Sequence, residues 1–221
     1  MFLGHYAVGF AAKRWAPKTS LAVLFGAALW LDIIWPIFVL FGWEHFRIDP
    51  SSPTKMLAFD FTDYPLSHSL VMSLAWGALL GLAALAWKRD AKLAWIIGGL
   101  VVSHWILDFI VHRPDLPLMP TAPMAKKFGL GIWSSYGGTL VMEGVLFAFG
   151  LKLYLMSTRA KDKVGSIAFW AFVAVVLIIY AGAVTTMPPD KPNVIAFSAQ
   201  ISGFLLLAWA YWFDGHRKTG S

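Results

Sequence analysis

Long apolar runs separated by short clusters of charge set the plan of the chain. A helix needs about 20 apolar residues to cross a hydrocarbon layer, and such runs stand at Ser20–Trp43, His68–Trp87, Ala91–His112, Tyr136–Ser157, Val164–Met187 and Val194–Phe213. They predict six transmembrane helices. Ahead of them Met1–Ala12, MFLGHYAVGFAA, is apolar but too short to cross, and it lacks the basic leader and small-residue cleavage site of a secretory signal. It reads as a retained half-span. The expected fold class is all-α, a polytopic membrane helix bundle forming a single integral membrane domain over residues 1–221, with the motif-bearing part in 1–120 and mainly scaffold in 136–213. The last two runs carry no charged residue, and packing is their expected role.

Composition agrees. The chain is 58% hydrophobic and only 14% charged, where a soluble domain would be nearer a quarter charged. With no cysteine there is no disulfide, thiolate ligand or cysteine nucleophile, so any metal must be held by nitrogen and oxygen. A net charge of +6 does not point to nucleic acid, because lysine and arginine fall between the apolar runs rather than on one basic face. They act as topology signals instead. Twelve of the basic residues, from the Lys13-Arg14 pair to Arg217-Lys218, fall on one side, and Arg47, Lys55, Arg113, Lys126, Lys127 and Lys191 on the other. The positive-inside rule makes the first side cytoplasmic, the C-terminus included. Loops Glu44–Ser67 and Arg113–Ser135 then face outward, which in a bacterium is the periplasmic side of the inner membrane. Trp15, Trp43, Trp87, Trp133 and Trp212 stand near run ends as expected interfacial anchors. Gly77 and Gly81 form a GxxxG that permits close helix approach.

Against this background His104, Asp108 and His112 stand out. Steps of four place them on one face of a helix continuous through His112, over roughly 12 Å of axis, inside a run otherwise built from Ile, Leu, Val, Trp and Phe. Ionisable groups at membrane depth are costly and usually mark a site. From the expected topology, His5, Asp32, His68 and Glu143 reach a similar level in the outer half of the bilayer. No neighbouring basic residue is expected to neutralise these acids. Imidazoles and carboxylates in a partly dry pocket suit a divalent transition metal, with zinc the first candidate and manganese or iron the alternatives. The expected metal ligands are His5, Asp32, His68, His104 and Asp108, sharing one ion; His112 and Glu143 are the candidate catalytic groups. Ser67, Ser69 and Ser103 flank the ligands as supporting hydrogen-bond partners. In the second outer loop Pro114, Pro117, Pro120 and Pro123 forbid a helix and favour an extended course. It is either a lid over the site or an ordinary connector.

Four segments resemble the bacterial membrane-bound metal-dependent hydrolase family, whose name-bearing member is a LexA-regulated inner-membrane protein. They are Gly4-His5, Asp32 in LWLDIIWP, Ser67-His68-Ser69 in YPLSHSL, and Ser103-His104 with Asp108 ahead of RPDLPLMP. The resemblance covers about residues 1–120. It implies a metal-dependent hydrolase without naming a substrate. Ile34 and Trp35 stand where the family's second motif has an Asp and a His, and the first His and the Arg-Gly of its third motif are absent. That leaves fewer ligands for a two-metal centre, so a mononuclear or a vestigial site is open. A fainter likeness, to zinc-dependent phospholipase C and P1 nuclease, rests on an early His, a later Asp and a helical His-x-x-x-Asp. It implies phosphoester cleavage with Glu143 as a further ligand.

The resulting expectation is an inner-membrane hydrolase acting through a metal-bound hydroxide on a membrane lipid or other amphiphilic, phosphoester-like substrate. The alternatives are a proton or ion pathway built from the same groups, and a metal-free scaffold subunit.

Overall fold

In the computed structural model, which describes residues 1–120 and 126–220, the apolar runs form a helix bundle. Its helices are α1 (Phe2–Ala12), α2 (Leu21–Ala28), α3 (Trp30–Leu40), α4 (Pro65–His68), α5 (Leu70–Lys88), α6 (Ala91–Val111), α7 (Tyr136–Ser157), α8 (Lys163–Thr185) and α9 (Pro192–Gly215). Five of them, α5 to α9, are long and apolar enough to cross a membrane, and the bent pair α2 and α3 makes a sixth span if counted as one. Only 22% of the most apolar window of α5 and 17% of that of α9 are buried. The remainder faces outward and is still apolar, with Leu82, Val145, Ile167 and Ile178 all exposed. Water penalises such a surface and lipid does not.

Local chemistry sets the helix starts. Ser20, Ser69, Asp90, Ser135 and Asp162 sit in extended conformation, and each side chain accepts the N–H three residues on. Where helices touch closely, glycine makes room. A Cβ on Gly77 would lie 2.9 Å from the Gly98 carbonyl oxygen, so the expected GxxxG does bring α5 and α6 into backbone contact.

The half-span α1 lies at the centre. It is apolar on all sides and most of it is buried, as an all-round apolar helix must be. Eleven residues span about 16 Å, near half the membrane, so its first residues end inside the bundle. At the opposite end Lys13 Nζ donates to Asp214 Oδ2 at 2.6 Å and to the Thr19 carbonyl at 2.7 Å. Asp214 also accepts from Leu21 N at 2.9 Å and Tyr154 Oη at 2.8 Å. One buried carboxylate thus ties α9 to α1, α2 and α7.

Several boundaries differ from the sequence pattern. The first run is not one helix: it bends by 60° at Leu29, where φ is −98° and ψ is 9°. The second begins at Leu70, because Ser69 turns extended and caps α5, leaving His68 at the end of the short α4. The third stops at Val111, and His112 is its cap with ψ 147°; Pro114 cannot continue a helix. Trp133 is not an interfacial anchor but is buried, whereas Trp15, Trp43, Trp87 and Trp212 are exposed.

The loops carry two small sheets that the run pattern did not predict. Strands β1 (His45–Ile48) and β2 (Phe59–Asp63) pair antiparallel with an irregularity between His45 and Arg47. At the opposite end β3 (Thr158–Ala160) pairs antiparallel with β4 (Arg217–Thr219). Of the proline-rich loop, Pro123 lies outside the described residues. The carbonyls of Pro117 and Leu118 accept from Leu70 N and Val71 N, and Gly131 N donates to the His112 carbonyl. The described part of this loop is therefore fixed to the ends of α5 and α6 as a wall.

Candidate metal centre

The side chains singled out on α1, α3, α4 and α6 meet where α1 ends inside the bundle. Asp108 Oδ2 lies 3.2 Å from His104 Nε2 and 3.8 Å from His68 Nε2. Asp32 Oδ1 lies 3.6 Å from the same His104 atom and 3.7 Å from the same His68 atom. Ligands about 2.1 Å from a tetrahedral ion stand roughly 3.4 Å from each other, so these are the separations of groups able to share a cation. The ligand atoms form two overlapping sets, His68 with His104 and Asp108, and His5 with Asp32 and His104. His104 belongs to both.

Hydrogen bonds on the far side of each ring fix which nitrogen faces the carboxylates. The bend after α2 leaves the Ala28 carbonyl outside the helical ladder, and His104 Nδ1 sits 2.8 Å from it. A carbonyl only accepts, so Nδ1 carries the proton. For His68, Nδ1 is 2.7 Å from Ser67 Oγ, and Ser67 Oγ spends its own proton on Glu44 Oε2 at 2.6 Å. Ser67 must then accept from Nδ1. His112 Nδ1 donates to Asp115 Oδ1 at 3.0 Å, an oxygen that also accepts from Tyr64 Oη at 3.0 Å. Three rings are thereby held with Nδ1 protonated and Nε2 turned inward, the arrangement that orients histidine ligands on metals.

This creates an unmet electrostatic need. Among the described residues His104 Nε2 is buried with no hydrogen-bond partner, and two carboxylate oxygens face it. A proton on each ring would satisfy the acids one at a time, but His5 stacks on His104 with centroids 3.6 Å apart at 7°. Two imidazolium rings in that contact repel. One charge facing both carboxylates avoids that conflict, either a single proton on His104 Nε2 or a divalent cation that these groups would hold.

The remaining singled-out residues lie at the margin. His5 Nε2 is 3.1 Å from Asp108 Oδ1, and its Nδ1 is buried without a partner. The same Asp108 oxygen accepts from the Met1 amino group, which corrects the expectation that no basic group neighbours the acids. His112 Nε2 stands 3.9 Å from Asp108 Oδ1. Glu143 Oε2 accepts from Leu3 N at 2.6 Å, at the start of α1 where a helix favours negative charge, and its Oε1 accepts from Trp133 Nε1 at 3.1 Å. Of the flanking serines, Ser67 supports a ligand; Ser69 caps α5, and Ser103 bonds the Leu100 carbonyl within α6.

Glu44 and Asp115, which the sequence pattern did not single out, complete the surround. Glu44 is buried in the loop after α3, and burial pushes its carboxyl up from 4.5 to about 7 although bonds from Ser67 oppose the rise. The folded protein therefore takes up this proton before the unfolded chain does. Its burial costs stability above pH 7, a cost that fades as pH falls toward 4.5. For the site the effect is opposite. A protonated Glu44, or Gln in its place, donates to Ser67 Oγ, which frees the serine proton for His68 Nδ1 and puts the His68 proton on Nε2. Glu44→Gln is expected to lower metal affinity about 10- to 100-fold at pH 8, read by competition with a chromophoric chelator. The gap between wild type and variant should close as pH drops below about 7. Equal affinities at pH 8 would show that Glu44 does not orient His68.

No protein-family model, characterised protein or solved structure matches this chain.

Proposed function

We propose that this protein is a membrane-embedded, metal-dependent hydrolase acting on an amphiphilic phosphoester. The observation that carries the reading is the set of inward Nε2 atoms of His68 and His104 standing 3.2–3.8 Å from carboxylate oxygens of Asp32 and Asp108. His68, His104 and Asp108 would hold the cation, with Asp32 and His5 completing its surroundings; zinc fits this nitrogen and oxygen set, as do manganese and iron. A cation held there lowers the pKa of a coordinated water and polarises a phosphoryl or carbonyl oxygen. His112 borders the site with its proton relay to Asp115 and is the assigned proton carrier. Glu143 positions α1 and Trp133 rather than touching substrate. The four matching segments support the same reaction class. Charge distribution supports a bacterial inner-membrane setting with the C-terminus cytoplasmic and the site in the outer half.

One observation favours a metal-free structural network instead: the Met1 amino group and His5 both satisfy Asp108 Oδ1. Hydrolysis separates the two readings. Detergent-purified protein is expected to cleave a lipid phosphoester, to stop on chelation, to recover on adding zinc or manganese, and to be inactive as His104→Ala. Cleavage that survives chelation or the His104 substitution would overturn the proposal.

A further inference from the structure

Of the ligand set, His5, His68, His104 and Asp108 are almost fully buried, whereas Asp32 keeps 46% of its side-chain surface open. What opens onto Asp32 is a crevice of about 200 Å³ between α1, α3, α8 and α9. Its walls are mainly apolar, with Phe2, Leu29, Ile33 and Leu207 among them, and it reaches the outer faces of α8 and α9 at exposed Ile179 and Phe204. Gly203 stands at the middle of α9. The mouth therefore opens at mid-span, toward acyl chains rather than water. Two polar side chains line it, Trp35 and Gln200, and among the described residues the indole Nε1, a donor, and the amide Oε1, an acceptor, are both occluded and without a partner. Unmet buried polar groups are expensive, and a bilayer interior supplies nothing to pair with them.

We infer that this crevice admits the polar end of a single-chain phosphoester amphiphile sideways from the bilayer and delivers it to Asp32. The inference rests on the proposed hydrolase reading and adds the substrate class and route. Size argues for one chain: pockets enclosing a drug-sized ligand measure about 300–1,000 Å³, so this one holds a head group with the first carbons of one tail, the rest staying in lipid. The two polar side chains specify the head: a turn of either toward the crevice offers the Trp35 indole N–H to an ester or phosphoryl oxygen and the Gln200 amide oxygen to a hydroxyl. A phosphate beside Asp32 also needs the cation, since carboxylate and phosphate otherwise repel. Lysophospholipids and long-chain alkyl or prenyl phosphates share the one-chain phosphoester chemistry.

The test is photo-crosslinking of zinc-loaded protein in bicelles with a dodecyl phosphate carrying a diazirine near its head, mapped by mass spectrometry. Label is expected in the α9 segment 199–207 and in 29–35, falling at least tenfold in Gly203→Leu, whose added side chain fills the crevice. A Cβ there meets nothing within 4 Å, and leucine favours helix over glycine, so the variant folds; Ala199→Leu narrows the same space independently. Excess lysophosphatidylglycerol or unlabelled dodecyl phosphate should displace the label, and the stronger competitor identifies the source. Label spread over the outer faces of α5 and α7, no loss in either variant, or equal displacement by a two-chain phosphatidylglycerol overturns the inference. Bound metal, assayed on the same samples, separates the readings: metal without crevice label defeats only the entry route, and crevice label without metal defeats only the hydrolase centre.

Discussion

Replacing His104 by alanine is expected to lower affinity for a divalent cation by more than about 100-fold, beyond the effect of losing a supporting partner alone. His104 is the residue common to both ligand sets, so its loss leaves no complete set of three. The substitution also strands the Ala28 carbonyl, and an unpaired buried acceptor costs about 1–3 kcal/mol. A drop in affinity from the alanine variant alone would therefore mix two effects. His104→Asn separates them, because the asparagine amide reaches the position of Nδ1 and keeps a donor on Ala28 while removing Nε2. Asparagine should recover stability without recovering metal. His45→Ala and His216→Ala, far from the centre and partly open to solvent, should change neither. Metal affinity retained in His104→Asn would mean that Nε2 is not a ligand.

The largest effect on stability is expected at the other end of the bundle. Asp214→Ala leaves Lys13 charged and buried, and breaking a buried pair by removing one partner costs about 3–5 kcal/mol. Leu21 N and Tyr154 Oη lose their acceptor as well, so α1 and α2 loosen together. Because α1 runs from this anchor to the candidate metal centre, its release should also weaken metal binding from a distance. Unfolding in detergent, followed by circular dichroism, measures the first effect. A Lys13→Met, Asp214→Leu double variant should recover much of the loss, since no charge is then left unpaired. An Asp214→Ala protein within about 1 kcal/mol of wild type would show that the pair does not anchor α1.

Much of this was legible in the chain. Run lengths gave the spans, and the four-residue spacing of His104 and Asp108 placed both on one face of α6 because helix geometry depends only on local sequence. His5 and Asp32 were legible as ionisable groups in apolar surroundings. The bend at Leu29 was not, since nothing in SLAVLFGAALWLDII breaks apolar periodicity, yet the bend is what frees the Ala28 carbonyl for His104. Glu44 and Asp115 were missed because each sits in a loop where acids are ordinary, and their burial follows from contacts distant in sequence. Asp115 did carry a signal, three residues beyond His112. The alternation in Phe59–Asp63, FDFTD, was likewise a strand signal, overlooked between strong helical runs. Lys13 was read as a topology marker only and Asp214 was not singled out; their pairing joins residues at opposite ends of the chain.

The central claim is that these rings and carboxylates hold a metal, and elemental analysis of detergent-purified protein against Asp108→Ala tests it most directly. Purified without chelator, the wild type should carry about one divalent cation per chain, because two ligand sets that share His104 describe one centre, and the variant should carry markedly less, because only the set that includes the half-open Asp32 remains. Wild-type protein that stays metal-free after incubation with zinc, manganese or iron, or an Asp108→Ala protein with undiminished metal, would contradict the account.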